Sequence, residues 1–315
     1  MPSACRKILA LFGVALALTL APQAELAAAP EAELWERWTA HDPDSDGTIA
    51  HTWWGSFLDV YLVPNRDGIN RLAYARVGQR DRSALDKYLD DLAGVPISAY
   101  NRDEQFAYWV NLYNALTMKV ILDHYPVSSI TKISISPGWF SVGPWGKKLI
   151  EVEGEAISLD DIEHRILRPI WKDPRIHYAV NCAALSCPNL LLVPFTGANL
   201  EGLLDQAARD YVNRPGGIEA RGSGLVVSSV YEWYKDDFGG DDAGIIAHLR
   251  QYADLPLTAI LDGATRIRDD RYDWAINDAD PSAAVKSIHR GSSANSYGIK
   301  LHSLDEPGGT VVARP

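Results

Sequence analysis

Cys182 and Cys187 stand with four residues between them in the run His177-Tyr178-Ala179-Val180-Asn181-Cys182-Ala183-Ala184-Leu185-Ser186-Cys187-Pro188. Three chemistries fit two thiols at this spacing with a histidine just upstream. The first is a disulfide closing a small loop. Ala183, Ala184 and Ser186 are small enough to let the loop fold tightly, and a bridge needs Cα atoms about 4.4–6.8 Å apart. The second is a reactive thiol: Cys187 before Pro188, at the entrance to a turn and near His177, would have a depressed pKa and act as a thiolate nucleophile. The third is a zinc site completed by His177 and His164. The small loop residues predict Cys182 and Cys187 Cα atoms within bridging range, with His177 close to at least one sulfur.

Other polar residues carry similar alternatives. Glu163 and His164 adjoin on a short helix with Arg168 one turn on, which reads as acid/base machinery or as a partly solvated ion-pair face. His177 lies inside an otherwise apolar stretch, so it needs a buried hydrogen-bond partner. Asn111 and Asn114 sit one turn apart in the most apolar helix. They would either fix a neighbouring loop through a polar network or line a binding cleft. Asp42-Pro43-Asp44-Ser45-Asp46-Gly47 imitates half a calcium loop, but Trp53 occupies the place of the bidentate carboxylate and Pro43 stiffens the second position. It reads as a solvated acidic turn, and no metal or cofactor is assigned.

These residues sit in a chain of 315, of which 47% are hydrophobic and 23% charged, with ten Trp and fourteen Tyr against two Met. That much apolar material supports a proper core and excludes global disorder. Residues 1–29 read as a secretory signal peptide: Arg6 and Lys7 precede an uncharged apolar stretch over 8–21, and small residues follow at Ala24 and Ala27 to Ala29. The mature chain has no run long enough to span a bilayer. Losing Arg6, Lys7 and Glu25 with the signal moves the net charge from −11 to −12. So acidic a protein is repelled by nucleic acid and by anionic membranes. The expected location is periplasmic or secreted, an oxidising setting that favours the disulfide.

The elements that must position the site follow from periodicity. Short amphipathic helices are expected around Leu34 to Trp38 and Trp53 to Tyr61, and Ser83 is read as the N-cap of a third. Asn101 and Glu104 form a capping box opening a helix over 102–124, apolar nearly all round and therefore buried on most sides. Strands are expected over 130–135, 148–152, 176–180 and 225–227, with Gly154 in a tight turn. Ser158 and Asp161 form a second capping box on a helix to Arg168. Further helices are expected over 200–212, 230–238 and 245–252.

Longer motifs add a resemblance. Glu104-Gln105-Phe106-Ala107-Tyr108-Trp109-Val110-Asn111-Leu112-Tyr113-Asn114-Ala115-Leu116, Ile157-Ser158-Leu159-Asp160-Asp161-Ile162-Glu163-His164 and Asp173-Pro174-Arg175-Ile176-His177 resemble the domain of unknown function 547 family. So do Asn181-Cys182-Ala183, Ser186-Cys187-Pro188, Tyr231-Glu232-Trp233-Tyr234-Lys235-Asp236-Asp237-Phe238 and Tyr272-Asp273-Trp274-Ala275-Ile276-Asn277. The resemblance implies that Asn111/Asn114, Glu163/His164 and His177/Cys182/Cys187 are family positions. Some relatives carry a glutaredoxin-like neighbour, which implies thiol chemistry, although this chain has no Cys-x-x-Cys. The likeness extends to papain- and transglutaminase-like folds, with the order of Cys and His reversed here.

The expected fold is α+β: a predominantly helical single domain with a small mixed or antiparallel sheet and one long buried central helix. Its parts are the signal peptide 1–29, an N-terminal helical region 30–96, the family core 97–215, a C-terminal helical extension 216–280 and a disordered tail 281–315. The expected activity is a thiol/His site, Cys187 with His177, Glu163 and His164, acting on peptide or amide substrates in the cell envelope. The alternative is a non-catalytic envelope binding or assembly module with a structural Cys182–Cys187 disulfide.

Overall fold

The computed structural model describes residues 30–138 and 141–280. The expected signal peptide and tail lie outside the described residues. The chain passes through α1 (Thr52–Tyr61), the strands β1 (Leu62–Val63) and β2 (Arg71–Leu72), α2 (Gln79–Ala93) and α3 (Arg102–His124). Next come β3 (Ile150–Val152) and β4 (Glu155–Ile157), then a π-helix (Asp161–Leu167) that runs straight into α4 (Arg168–Trp171), and α5 (Ile176–Ala179). The last part holds α6 (Leu200–Val212), β5 (Glu219–Arg221), β6 (Gly224–Ser228), α7 (Ser229–Trp233), α8 (Asp242–Tyr252), α9 (Leu255–Asp262) and β7 (Arg266–Arg271). β1–β2, β3–β4 and β5–β6 pair antiparallel, while β6–β7 is parallel. The fold is α+β, mainly helical, with small sheets.

Helix α3 is the core of the molecule. Every residue from Glu104 to Met118 is buried, and the helix packs on α2, α6 and the π-helix. With apolar side chains on all faces it has no solvent side to present, which is why one helix can organise the others. Asn101 caps it by accepting the Glu104 N–H at 3.0 Å. The second half of the expected capping box is absent, because the Glu104 carboxylate instead accepts the Ile49 N–H at 2.7 Å and the Gly197 N–H at 2.8 Å. Glu104 thereby ties two distant loops to the first turn of α3. Glu104→Ala strands both amides in the interior and should cost about 2–3 kcal/mol in a urea melt. A loss under about 1 kcal/mol would show that the fold does not depend on this clamp.

Several local expectations change. Segment 176–180 is not a strand: Asp173 Oδ1 accepts the Arg175 N–H at 2.8 Å after Pro174, and that turn opens the single helical turn α5. A short apolar run cannot by periodicity alone tell a buried strand from a buried helical turn. Segment 130–135 holds a 3-10 turn over Ile130–Lys132, capped by Ser129. The 148–152 strand is β3, and it returns as β4 through Glu153 and Gly154, both at positive φ. Ser83 lies inside α2, whose N-cap is Gly78. The 230–238 helix breaks into α7 and a 3-10 turn, Lys235–Phe238. No helix among the described residues is long and apolar enough to cross a membrane.

Candidate functional site

The second capping box is reciprocal. Ser158 Oγ accepts the Asp161 N–H at 3.1 Å, and Asp161 Oδ2 accepts the Ser158 N–H at 2.8 Å. The helix it opens is a π-helix, whose wide turns bond Arg168 N–H to Glu163 O. Pro169 lacks an N–H, so an α-helical ladder could not be completed there. The His164 and Arg165 carbonyls are consequently free to accept the Glu33 and Trp35 N–H groups, each at 3.0 Å. π-turns are costly and concentrate at functional sites. This one carries Glu163 and His164 and delivers Arg168.

Glu163, His164 and Arg168 are buried rather than partly solvated, at 6%, 5% and 8% exposure. The Arg168 guanidinium donates through Nε to Asp237 Oδ2 at 2.6 Å and through Nη1 to the Pro30 carbonyl at 2.7 Å. The same Nη1 meets His164 Nδ1 at 3.2 Å. Arginine can only donate, so Nδ1 of His164 holds a lone pair and the ring proton sits on Nε2. Burial, with the Arg168 charge among the other causes, lowers the His164 pKa to about 4. At neutral pH His164 is a neutral donor with its lone pair already taken, not a general base.

His177 Nε2 lies 2.7 Å from Asp237 Oδ2, and its ring stacks on Tyr234 at 3.9 Å between centroids. Nδ1 stands 3.6 Å from Glu163 Oε1, within ion-pair reach but beyond hydrogen-bond length. Burial opposes ionisation of Glu163, yet the His164 and His177 imidazoles and the Arg168 guanidinium outweigh it and hold the carboxyl below its usual range. Asp237 is likewise held low against burial, by its hydrogen bonds from His177 and Arg168. Asp160 is the exception. Burial and the neighbouring charges of Glu163 and Asp161 raise its pKa to about 6.

The two cysteines are free thiols, Cys182 half-buried and Cys187 buried. The expected disulfide is not formed. Their loop is built to bring them together: Ala183 adopts φ +60°, and Asn181 Oδ1 accepts the Ala183 N–H at 2.8 Å. As a result the Cys182 N–H points at Cys187 Sγ, 2.7 Å away. The loop lies against residues 273–277 through the N–H groups of Leu185, Ser186 and Asn277. The Tyr272 hydroxyl lies 3.1 Å from Cys182 Sγ. Burial alone would push Cys187 up, but hydrogen bonds from Cys182, Tyr272 and the Ala184 backbone bring it below the usual thiol range. Burial and then the neighbouring sulfur push Cys182 well up. Cys187 is the more acidic of the two thiols.

Both sulfurs, Glu163, His164 and His177 line one cavity of about 850 Å³. That is the size of a small-molecule or side-chain site. Aromatic rings supply much of the rest, with Trp233, Tyr272 and Trp274 packed on one another and Trp145 edge-on to Trp274. No hydrogen bond joins His177 to either sulfur. Among the described residues no group of three or more His, Cys, Asp or Glu side chains is arranged to hold a metal.

Asn111 and Asn114 do not line the cavity. Asn111 clamps the Phe195 backbone, donating to its carbonyl at 2.7 Å and accepting its N–H at 3.3 Å. Asn114 donates to Ala179 O at 2.9 Å and accepts the Asn181 N–H at 2.8 Å. They hold the cysteine loop and its neighbour in place. Asp160, Tyr113, Asp237 and the aromatic wall escape residue-by-residue reading. The signal for Asp237, Tyr272 and Trp274 lay in the two later motifs, 231–238 and 272–277.

Residues 97–212 match the family described as "Protein of unknown function, DUF547". No curated protein and no solved structure matches the chain.

Proposed function

Taking this chain as a member of the DUF547 family, we propose that it is an exported thiol-dependent enzyme acting on peptide or amide substrates in the cell envelope, with Cys187 as nucleophile. The observation that carries the reading is the placement of Cys187 Sγ in a cavity wall, facing the Cys182 N–H at 2.7 Å. Thiolates, not thiols, attack carbonyl carbon. Cys187 Sγ forms the new C–S bond, the C–N bond breaks, and the leaving amine takes its proton from the Tyr272 phenol. Burial and then the two sulfurs keep that phenol protonated. Water then attacks the thioester, releasing the carboxylic acid and the thiolate and returning the proton to Tyr272. Glu163, His164 and His177 supply a polar part of the lining that orients the substrate. They do not activate the sulfur.

A dilute iodoacetamide time course near neutral pH, read by mass spectrometry, tests this. If Cys187 is the nucleophile it should alkylate about tenfold or more faster than a free thiol peptide. Cys187→Ser should abolish the fast phase and Cys182→Ser should retain it. Two equally slow thiols would sink the nucleophile. That result would favour a second reading, a non-catalytic binding module, which the engagement of His177 with Asp237 and of His164 with Arg168 already supports.

A further inference from the structure

Asp160 opens the π-helical segment and lines the cavity beside Trp145, whose carbonyl accepts the Asp160 N–H at 3.1 Å. Among the described residues its carboxylate takes no hydrogen bond, and the nearest basic nitrogen is His164 Nε2 at 3.8 Å. That ring is neutral because burial, with the Arg168 charge beside its other nitrogen, disfavours a second proton. Lys148 acts on Asp160 only at a distance, since its ammonium is bonded to Asp161. Lys132, also in the lining, is solvent-exposed and forms no ion pair with Asp160. The cavity therefore holds a half-buried negative charge without a contacting counter-ion. A second observation comes from α3. Tyr113 is 2% exposed and lines the same cavity, and among the described residues its hydroxyl makes no hydrogen bond. A hydroxyl that lines a cavity without a protein partner is open to a ligand's donor. The third is the wall of Trp145, Trp233 and Trp274, whose ring faces attract cations and alkyl chains alike.

We propose that the cavity selects a substrate bearing an alkylammonium group, such as the side chain of a lysine-like diamino acid, with the ammonium against Asp160 and the Tyr113 oxygen and the methylenes against the tryptophan wall. The inference rests on the peptide or amide reading above and names its substrate class. A free amine supplies what the site lacks: a positive charge for the carboxylate and a donor for the hydroxyl. An acidic side chain would meet repulsion from Asp160, and a neutral one would leave the half-buried carboxylate without a partner.

The experiment uses the Cys187→Ser protein, so that binding is read without turnover. Tryptophan fluorescence and calorimetry follow titration with acetyl-Gly-Lys-amide, its Nε-acetyl-lysine counterpart and acetyl-Gly-Glu-amide. The lysine probe should bind at least about tenfold tighter than the acetylated one, the scale of a desolvated cation–π contact joined to a charge pair. Asp160→Asn should erase that preference, Asp160→Glu should keep part of it, and Tyr113→Phe should weaken the lysine probe alone by a few fold. Equal binding of the three probes, a preference that survives Asp160→Asn, or no saturable binding at all would overturn the proposal. A lysine preference alongside slow Cys187 alkylation would uphold this inference while removing the nucleophile.

Discussion

Acidification from pH 6.5 to 4 should cost the protein on the order of 6–9 kcal/mol of folding stability, mostly through three buried histidines. His51, His164 and His248 are 4%, 5% and 6% exposed. His51 Nδ1 meets the Tyr88 hydroxyl at 2.6 Å, His248 Nε2 meets that of Tyr178 at 2.9 Å, and His164 accepts from Arg168. Burial lowers each pKa to about 4. The unfolded chain takes up these protons near pH 6.5, and the native state only near pH 4. Stability is therefore complete above the unfolded value and falls with pH through the window between the two. Each group contributes about 2–3 kcal/mol, because a tenfold difference in proton affinity is worth about 1.4 kcal/mol. Asp160 works in the opposite sense, since its raised pKa makes ionisation a native-state cost that acid relieves. More than a third of its side chain is exposed, so after screening that relief is only about 1 kcal/mol. Against an ordinary stability of about 5–15 kcal/mol, unfolding should set in between about pH 4 and 5. Glu163 and Asp237 add their own loss below the ordinary carboxylate range, as acid removes charges the native state holds. Urea melts across the pH series give the slope. His51→Gln and His248→Gln should each remove about a third of it, and a flat stability between pH 6.5 and 4.5 would refute the assignment.

What the sequence discloses here follows the range over which each signal acts. Helix α3 is legible because eighteen of its residues are buried and their apolar pattern is continuous. The Ser158 capping box is legible because both partners lie within one turn. The π-turn that follows is not, since it depends on Pro169 together with carbonyls turned toward residues 33–35. Strand β7 reads Arg-Ile-Arg-Asp-Asp-Arg and is almost wholly exposed, so nothing in its composition marks a strand. Its identity comes from pairing with β6, whose five residues are all buried. The site shows the same division. Cys182, Cys187, His177, Glu163 and His164 stand out by residue type, and one cavity collects them. Their partners do not stand out: Asp237 is sixty residues from His177, and Tyr272 is ninety from Cys182. The asparagines of α3 looked equally functional by type. Burial beneath the loops turns them into backbone clamps.

Arg168→Ala should be the most damaging single substitution at the site, lowering stability by about 3–5 kcal/mol at pH 7. The guanidinium is the cation that offsets Asp237 and Glu163, and its side chain is only 6% exposed. Removing it leaves two carboxylates around His177 with a single imidazole between them, and an uncompensated buried charge costs more than the lost contacts. The Pro30 carbonyl also loses its donor, which loosens residues 30–35 from the π-helix. Arg168→Lys should recover little. One ammonium cannot reproduce a planar fork that reaches Asp237, Pro30 and His164 together while lying 4.9 Å over the Tyr234 ring. The variant carries a second signature that a merely structural loss would not. Without Arg168 the His164 lone pair is free and the adjacent positive charge is gone, so Glu163 and Asp160 can hold a proton on the ring in the native state. Burial still disfavours the charged ring, so the acid slope set by three histidines should fall by at most about a third. A variant within about 1 kcal/mol of the parent at pH 7, or one with the parent's slope, would show that Arg168 neither anchors the cluster nor fixes the protonation of His164.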